Sequence, residues 1–133
     1  MTQHNVASGS GRVRIARFLF FILSALMAIC IALQTYIAGA AVFGHAERWD
    51  DHVTFVHLFE FLPIFMLIAA FVGKLSAALK WQSAGLLLLI FAQYFTANFP
   101  GAGAVHPLIA LVLFWLSIHV LIQAYRGIRR KTA

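Results

Sequence analysis

The sequence predicts an all-α integral membrane protein, a four-helix up-down-up-down bundle built from two hairpin repeats. Three observations predict it. Hydrophobic residues make up 62% of the chain and charged residues 11%, whereas a soluble domain carries roughly 25% charged residues. Four long apolar stretches account for the excess, at 18–41, 53–72, 83–99 and 105–125. A polar mark then recurs at matching places. Gln34-Thr35-Tyr36-Ile37-Ala38 is followed by His52, and Gln93-Tyr94-Phe95-Thr96-Ala97 is followed by His106.

Crossing the hydrocarbon core takes about 20 helical residues, and each stretch is read in that light. Residues 1–15 are expected to form a flexible tail, polar and small at the start, with His4 solvated and idle. The first helix is expected over about 18–41. Ser24, Ala28 and Ala32 recur every fourth residue on it, a small-residue stripe that lets a neighbour approach closely. Cys30 has no partner cysteine in the chain, so it is expected to pack as a small apolar residue. A cleaved signal peptide is the competing reading of this segment, but its uncharged run is too long for the usual apolar region.

The second helix is expected over 52–73, capped at its start by Asp50 or Asp51. Pro63 should kink it and free a carbonyl near Phe59, and Gly73 should cap its end. The third is expected over 81–99, where Trp81 and Gln82 lengthen a short apolar run. Asn98–Gly103 reads as a turn. The fourth is expected over 105–126, with Pro107 in its first turn, and residues 127–133 as a basic tail. The transmembrane domain thus covers 16–126. Short connections make the helices antiparallel neighbours. Period-two alternation is absent, which argues against a transmembrane barrel.

Charge orients the bundle. The net charge is +6, yet its placement excludes nucleic acid as the partner. Arg12, Arg14 and Arg17 precede the first span, Lys74 and Lys80 lie between the second and third, and Arg126, Arg129, Arg130 and Lys131 follow the fourth. Glu47, Asp50 and Asp51 fall on the other side, with Arg48 as the exception. This positive-inside pattern puts both termini in the cytoplasm, in a multi-pass protein of a bacterial inner membrane. Trp49, Tyr36 and Tyr94 at one interface and Trp81 and Tyr125 at the other read as an aromatic belt.

Ionisable groups at membrane depth face the bundle interior and mark functional sites. His52 and His106 each fall in the first turn of a helix, at similar depth, on diagonal helices. They are the expected metal ligands. Ala38 and Ala97 leave room for a flat ring, and Gln34 and Gln93 are placed to hydrogen-bond an axial histidine or the ring's edge. The competing reading makes both histidines interfacial polar residues hydrogen-bonded to loop carbonyls. His57 is a rival ligand, rotated about 140° from His52. Glu60, three residues on, lies on nearly the same face as His57 and would relay protons, tune an imidazole or simply pair with it. His119 is too deep to share a ligand with His106, with Ser24, Ser83 or water as its expected partner, and His45 is expected to be solvated. A carboxylate-bridged dinuclear site, covalent haem attachment and nucleotide-binding loops lack their motifs.

Gln34-x-x-x-Ala38-Gly39, Trp49-Asp50-Asp51-His52, Gln93 with Ala97, Val105-His106-Pro107 and the basic tail together resemble a family of small bacterial four-helix membrane proteins of unknown function, over about residues 16–131. More distantly, paired histidines on a four-helix repeat look like half of haem A synthase or a b-type membrane cytochrome. The acidic-to-histidine motif of that synthase is not evident, so the resemblance implies haem binding, not synthase activity.

The expectation is therefore a membrane protein holding one b-type haem between His52 and His106, serving electron transfer or a redox complex. No residue is singled out as catalytic. Expected partners are the lipid bilayer, haem, and other membrane subunits or further copies of the chain. One alternative is a structural or accessory subunit. The other is a small proton-coupled transporter using His57, Glu60 and His119.

Overall fold

A helical run of apolar residues satisfies its backbone internally and buries one stripe against its neighbours. The computed structural model describes the backbone of residues 3–129 and the side chains of residues 11–129. Its helices are α1 (Gln3–Phe43), α2 (Arg48–Phe59), α3 (Leu62–Val72), α4 (Ala77–Asn98) and α5 (His106–Arg129), with a single 3-10 turn at Gly103–Val105. No strand occurs among the described residues. Because α2 and α3 form one broken rod, the described residues make four rods. The side chain of His4, and Arg130 and Lys131 of the basic tail, lie outside the described residues.

The break in the second rod has the expected cause. Proline lacks an N–H and clashes with the carbonyl four residues back, which for Pro63 is Phe59. The amides of Ile64 and Phe65 both turn to the Phe61 carbonyl, at 3.0 and 3.3 Å, and α3 restarts there with Pro63 in its first turn. Glu60 and Phe61 are left at the bend.

Other helix ends depart from expectation, first of all that of α1, which begins at Gln3 within the segment expected as a flexible tail. α2 begins at Arg48, with Glu47 at the N-cap position and no side-chain cap bond. Asp50 and Asp51 therefore sit in the first turn, where they complement the positive end of the helix dipole. α4 begins earlier than expected, after Ser76, whose hydroxyl accepts from the Leu79 amide at 3.4 Å.

Gly73 ends α3, but with an ordinary φ of −74°. Lys74 takes the left-handed position instead, at φ 49°. Gly73 answers a steric demand: a Cβ there would lie 2.9 Å from the Ala69 carbonyl oxygen and 3.2 Å from Arg17 Cγ. Through this gap Arg17 donates from Nε to the Gly73 carbonyl at 2.7 Å and from Nη2 to the Lys74 carbonyl at 3.4 Å. A cation thus satisfies carbonyls left open at the end of α3.

The rods pack as a square. α1 packs on α2, α3 and α5, and α4 packs on α3 and α5. The second and fourth rods face each other across the diagonal. Phe20, Met27, Met66, Leu86 and Val120 fill the centre. Ser24, Ser83 and Ser117 are also buried, and each hydroxyl donates within its own helix, to the carbonyls of Phe20 at 2.7 Å, Leu79 at 2.9 Å and Phe114 at 2.7 Å. Small paired hydroxyls let helices approach without leaving a buried polar group unsatisfied. Ser24 and Ala28 do lie in the core, while Ala32 lines a cavity nearer the end of α1.

The outside of the bundle is apolar, with Leu58, Leu88, Leu111 and Trp115 among its exposed side chains. A soluble monomer rarely exposes so large a contiguous apolar surface. Among the described residues, Gly11–Phe43, Arg48–Val72 and Gly103–Arg129 are long and apolar enough to cross a membrane. α4 has the length, at 22 residues, but polar ends (Lys80 and Gln82, then Gln93 and Asn98) dilute its apolar middle.

Candidate functional site

The doubled mark folds into a doubled contact. At the end of α1, the Gln34 side-chain Nε2 donates to the His52 carbonyl at 2.8 Å, and His52 Nδ1 lies 3.3 Å from the Gln34 carbonyl oxygen. At the end of α4, His106 Nδ1 lies 3.2 Å from the Gln93 carbonyl oxygen. The Gln93 amide, oriented by its partners, donates to the His106 carbonyl at 3.1 Å and accepts from the Ala110 amide at 2.9 Å. In each hairpin, then, the glutamine carbonyl faces the histidine ring and the glutamine amide holds the histidine backbone.

The copies differ in detail. Thr96 Oγ1 lies 3.2 Å from His106 Nδ1, and the Gln93 amide nitrogen donates to that same atom at 2.9 Å, a contact that makes Nδ1 an acceptor and puts the ring proton on Nε2. Gln34 Oε1 is buried without a partner, the one such side-chain atom among the described residues.

A carbonyl oxygen only accepts, so the contact to Gln34 keeps the His52 proton on Nδ1 and leaves Nε2 with its lone pair. Metal-binding histidines are oriented this way, through the nitrogen that does not bind the metal. In both rings Nδ1 is the tethered atom. Neither Nε2 has a hydrogen-bond partner among the described residues. The carbonyls that meet the two rings belong to Gln34 in α1 and Gln93 in α4, not to the loops of the competing reading.

The two rings meet across the diagonal. Their centroids are 6.3 Å apart and their planes 58° apart. Trp49 packs edge-on against His52, with centroids 5.6 Å apart. Both histidines line a cavity of about 970 Å³ whose wall also includes Gln34, Gln93, Ala38 and Ala97. Most of the remaining wall is apolar. All six residues of the doubled mark thus reach one space.

His57 does not line this cavity. Its Nδ1 lies 3.3 Å from Glu60 Oε1 and 3.1 Å from Tyr94 Oη, and its ring stacks on Tyr94. Tyr94 donates to Glu60 Oε2 at 2.5 Å. The bend before Pro63 sets Glu60 against α4. Sequence reasoning placed Tyr94 in the aromatic belt and so missed this contact. Helix rotation decides it, and one rod's spacing does not reveal which residue faces it from another.

His119 stands apart, stacked on Trp115 with centroids 5.5 Å apart. Its two expected serine partners instead bond within their own helices. His45 is exposed and lies 3.8 Å from Glu47. No cluster of three or more histidine, cysteine or acidic side chains suited to a metal occurs among the described residues.

The model of a Family of unknown function (DUF6220) matches residues 34–103, more than half of the chain. The protein belongs to this family. The matched segment of DUF6220 runs from Gln34 to the turn just before His106, so it contains one full clamp and the glutamine of the other. No curated protein and no solved structure matches the chain, and the likeness to haem A synthase and b-type cytochromes finds no support there.

Proposed function

We propose that this DUF6220 protein is a b-type haem-binding membrane protein, holding one haem between His52 and His106 and serving electron transfer or a membrane redox complex. The observation that carries the reading is the pair of rings 6.3 Å apart, each held through Nδ1 with no hydrogen-bond partner on Nε2; His106 would ligate once its ring proton moves to Nδ1, where the Gln93 carbonyl and Thr96 Oγ1 can accept it. At that spacing both imidazoles would be able to reach one iron through metal–nitrogen bonds of about 2 Å. The cavity volume lies near the upper end of ordinary ligand sites, about 300–1,000 Å³, and its apolar wall suits a large flat ring better than a bare ion.

In this reading His52 and His106 hold the iron, and Ala38 and Ala97 leave space beside it. Gln34 and Gln93 fix where each histidine enters. The haem, when bound, supplies one-electron redox chemistry, and the surrounding apolar wall excludes water. The charge pattern supports a bacterial inner membrane with both termini cytoplasmic. The lipid bilayer, and other membrane subunits or further copies, complete the proposed surroundings.

Titration of haem into apoprotein tests the reading. The parent is expected to develop a low-spin absorption spectrum at one equivalent, and His52→Ala and His106→Ala are each expected to lose it. Variants that titrate like the parent would exclude these ligands.

A second reading, proton movement, is favoured by the Tyr94–Glu60–His57 cluster. It predicts pH-driven flux in liposomes, lost in Glu60→Gln. His119, stacked on Trp115 of the same helix, lies apart from this cluster.

A further inference from the structure

A second cavity lies at the opposite end of the bundle, where the N-terminal half of α1, the α3–α4 turn and the end of α5 meet. Its volume is about 600 Å³, and Arg17, Lys74 and Arg126 line it together with Phe20, Leu75 and Leu79. Nothing in the haem reading uses it. The chain's four acidic residues are Glu47, Asp50, Asp51 and Glu60, all on the loop before α2, in its first turns or at the bend. No aspartate or glutamate side chain therefore neutralises this end. The side chains of Lys74 and Arg126 are exposed and form no ion pair or hydrogen bond among the described residues.

Lys74 adds an independent observation. It holds a left-handed φ of 49°, a conformation glycine adopts without penalty and other residues adopt at a cost. Backbone strain of this kind points towards a role for the side chain it displays. The strained turn places a lysine on the wall of the basic cavity, beside the arginine that caps α3.

We propose that this cavity binds a phosphate group, with Arg17, Lys74 and Arg126 supplying charge and Phe20, Leu75 and Leu79 receiving an adjoining apolar moiety. Arginine and lysine are the usual partners of phosphate oxygens. A basic pocket between helices with an apolar floor matches the headgroup and upper chain of an anionic phospholipid. Free phosphate shares the first half of that chemistry. A phosphatidylcholine headgroup does not fit as well, because its ammonium meets the same cations.

The test titrates short-chain phosphatidylglycerol, short-chain phosphatidylcholine and inorganic phosphate into the full chain in maltoside micelles, read by phosphorus NMR and native mass spectrometry. Phosphatidylglycerol is expected to bind saturably and about tenfold more tightly than phosphatidylcholine. Lys74→Gly and Arg126→Gln are each expected to weaken it by about tenfold, as loss of one charge-assisted contact implies. Lys74→Gly should unfold at the parent's temperature or above, since glycine relieves the turn, so its loss of binding would not reflect lost folding. Displacement of the lipid by inorganic phosphate would identify free phosphate as a ligand of the same site. Failure of phosphate to compete would assign the site to lipid. Equal binding of the two lipids, or parent-like binding by both variants, would overturn the proposal.

Discussion

Gln34 and Gln93 occupy matching places but do different amounts of bonding. Gln93 uses both ends of its amide, on His106 and Ala110, whereas Gln34 uses only its nitrogen and leaves Oε1 buried and unpaired. A hydrogen bond contributes about 1 kcal/mol net, and an unsatisfied buried acceptor costs a comparable amount. Gln93→Leu should therefore destabilise the bundle by about 1–2 kcal/mol, while Gln34→Leu should be close to neutral. Unfolding by denaturing detergent measures both, and equal losses would contradict the asymmetry. Gly73→Ala belongs to the same scale. Its Cβ would press on the Ala69 carbonyl and Arg17, so a loss of about 1–3 kcal/mol is expected, read as a lower melting temperature in micelles.

At the scale of elements, the bend before Pro63 matters more than either half-helix. It brings Glu60 to Tyr94, and Tyr94 also lines the histidine cavity. A double-mutant cycle of Glu60→Gln and Tyr94→Phe should show a coupling of about 0.5–1.5 kcal/mol, as for an ordinary hydrogen bond. Additive single effects would show that the contact contributes nothing. The bend itself was legible, because proline removes a specific N–H at a known position. The Tyr94 contact was not, because it depends on how two rods are turned towards each other. The start of α2 was misplaced for a related reason. Asp50 and Asp51 serve equally well as caps or as first-turn acids, and only the chain's path through the loop distinguishes the two.

For the whole molecule, apolar runs and short connections were enough to indicate four helical rods, and the repeat was enough to pair them. His52, His106, Gln34, Gln93, Ala38 and Ala97 were readable together because two copies of one pattern must reach equivalent places. His57 belongs to no repeat, and only its packing against Tyr94 and Glu60 separates it from the cavity. The charge pattern makes a further prediction at this scale. Reporter fusions that work only in the cytoplasm should be active at both termini, and those that work only outside should be active in the 44–47 loop. The reverse result would invert the proposed orientation.

Haem held between the two clamped histidines would colour the protein, so the decisive measurement is the absorption spectrum of protein purified from haem-replete cells, before and after dithionite. A sharp Soret band and resolved alpha and beta bands of low-spin haem, at one haem per chain, are expected. Folded, colourless protein from the same cells would contradict the account.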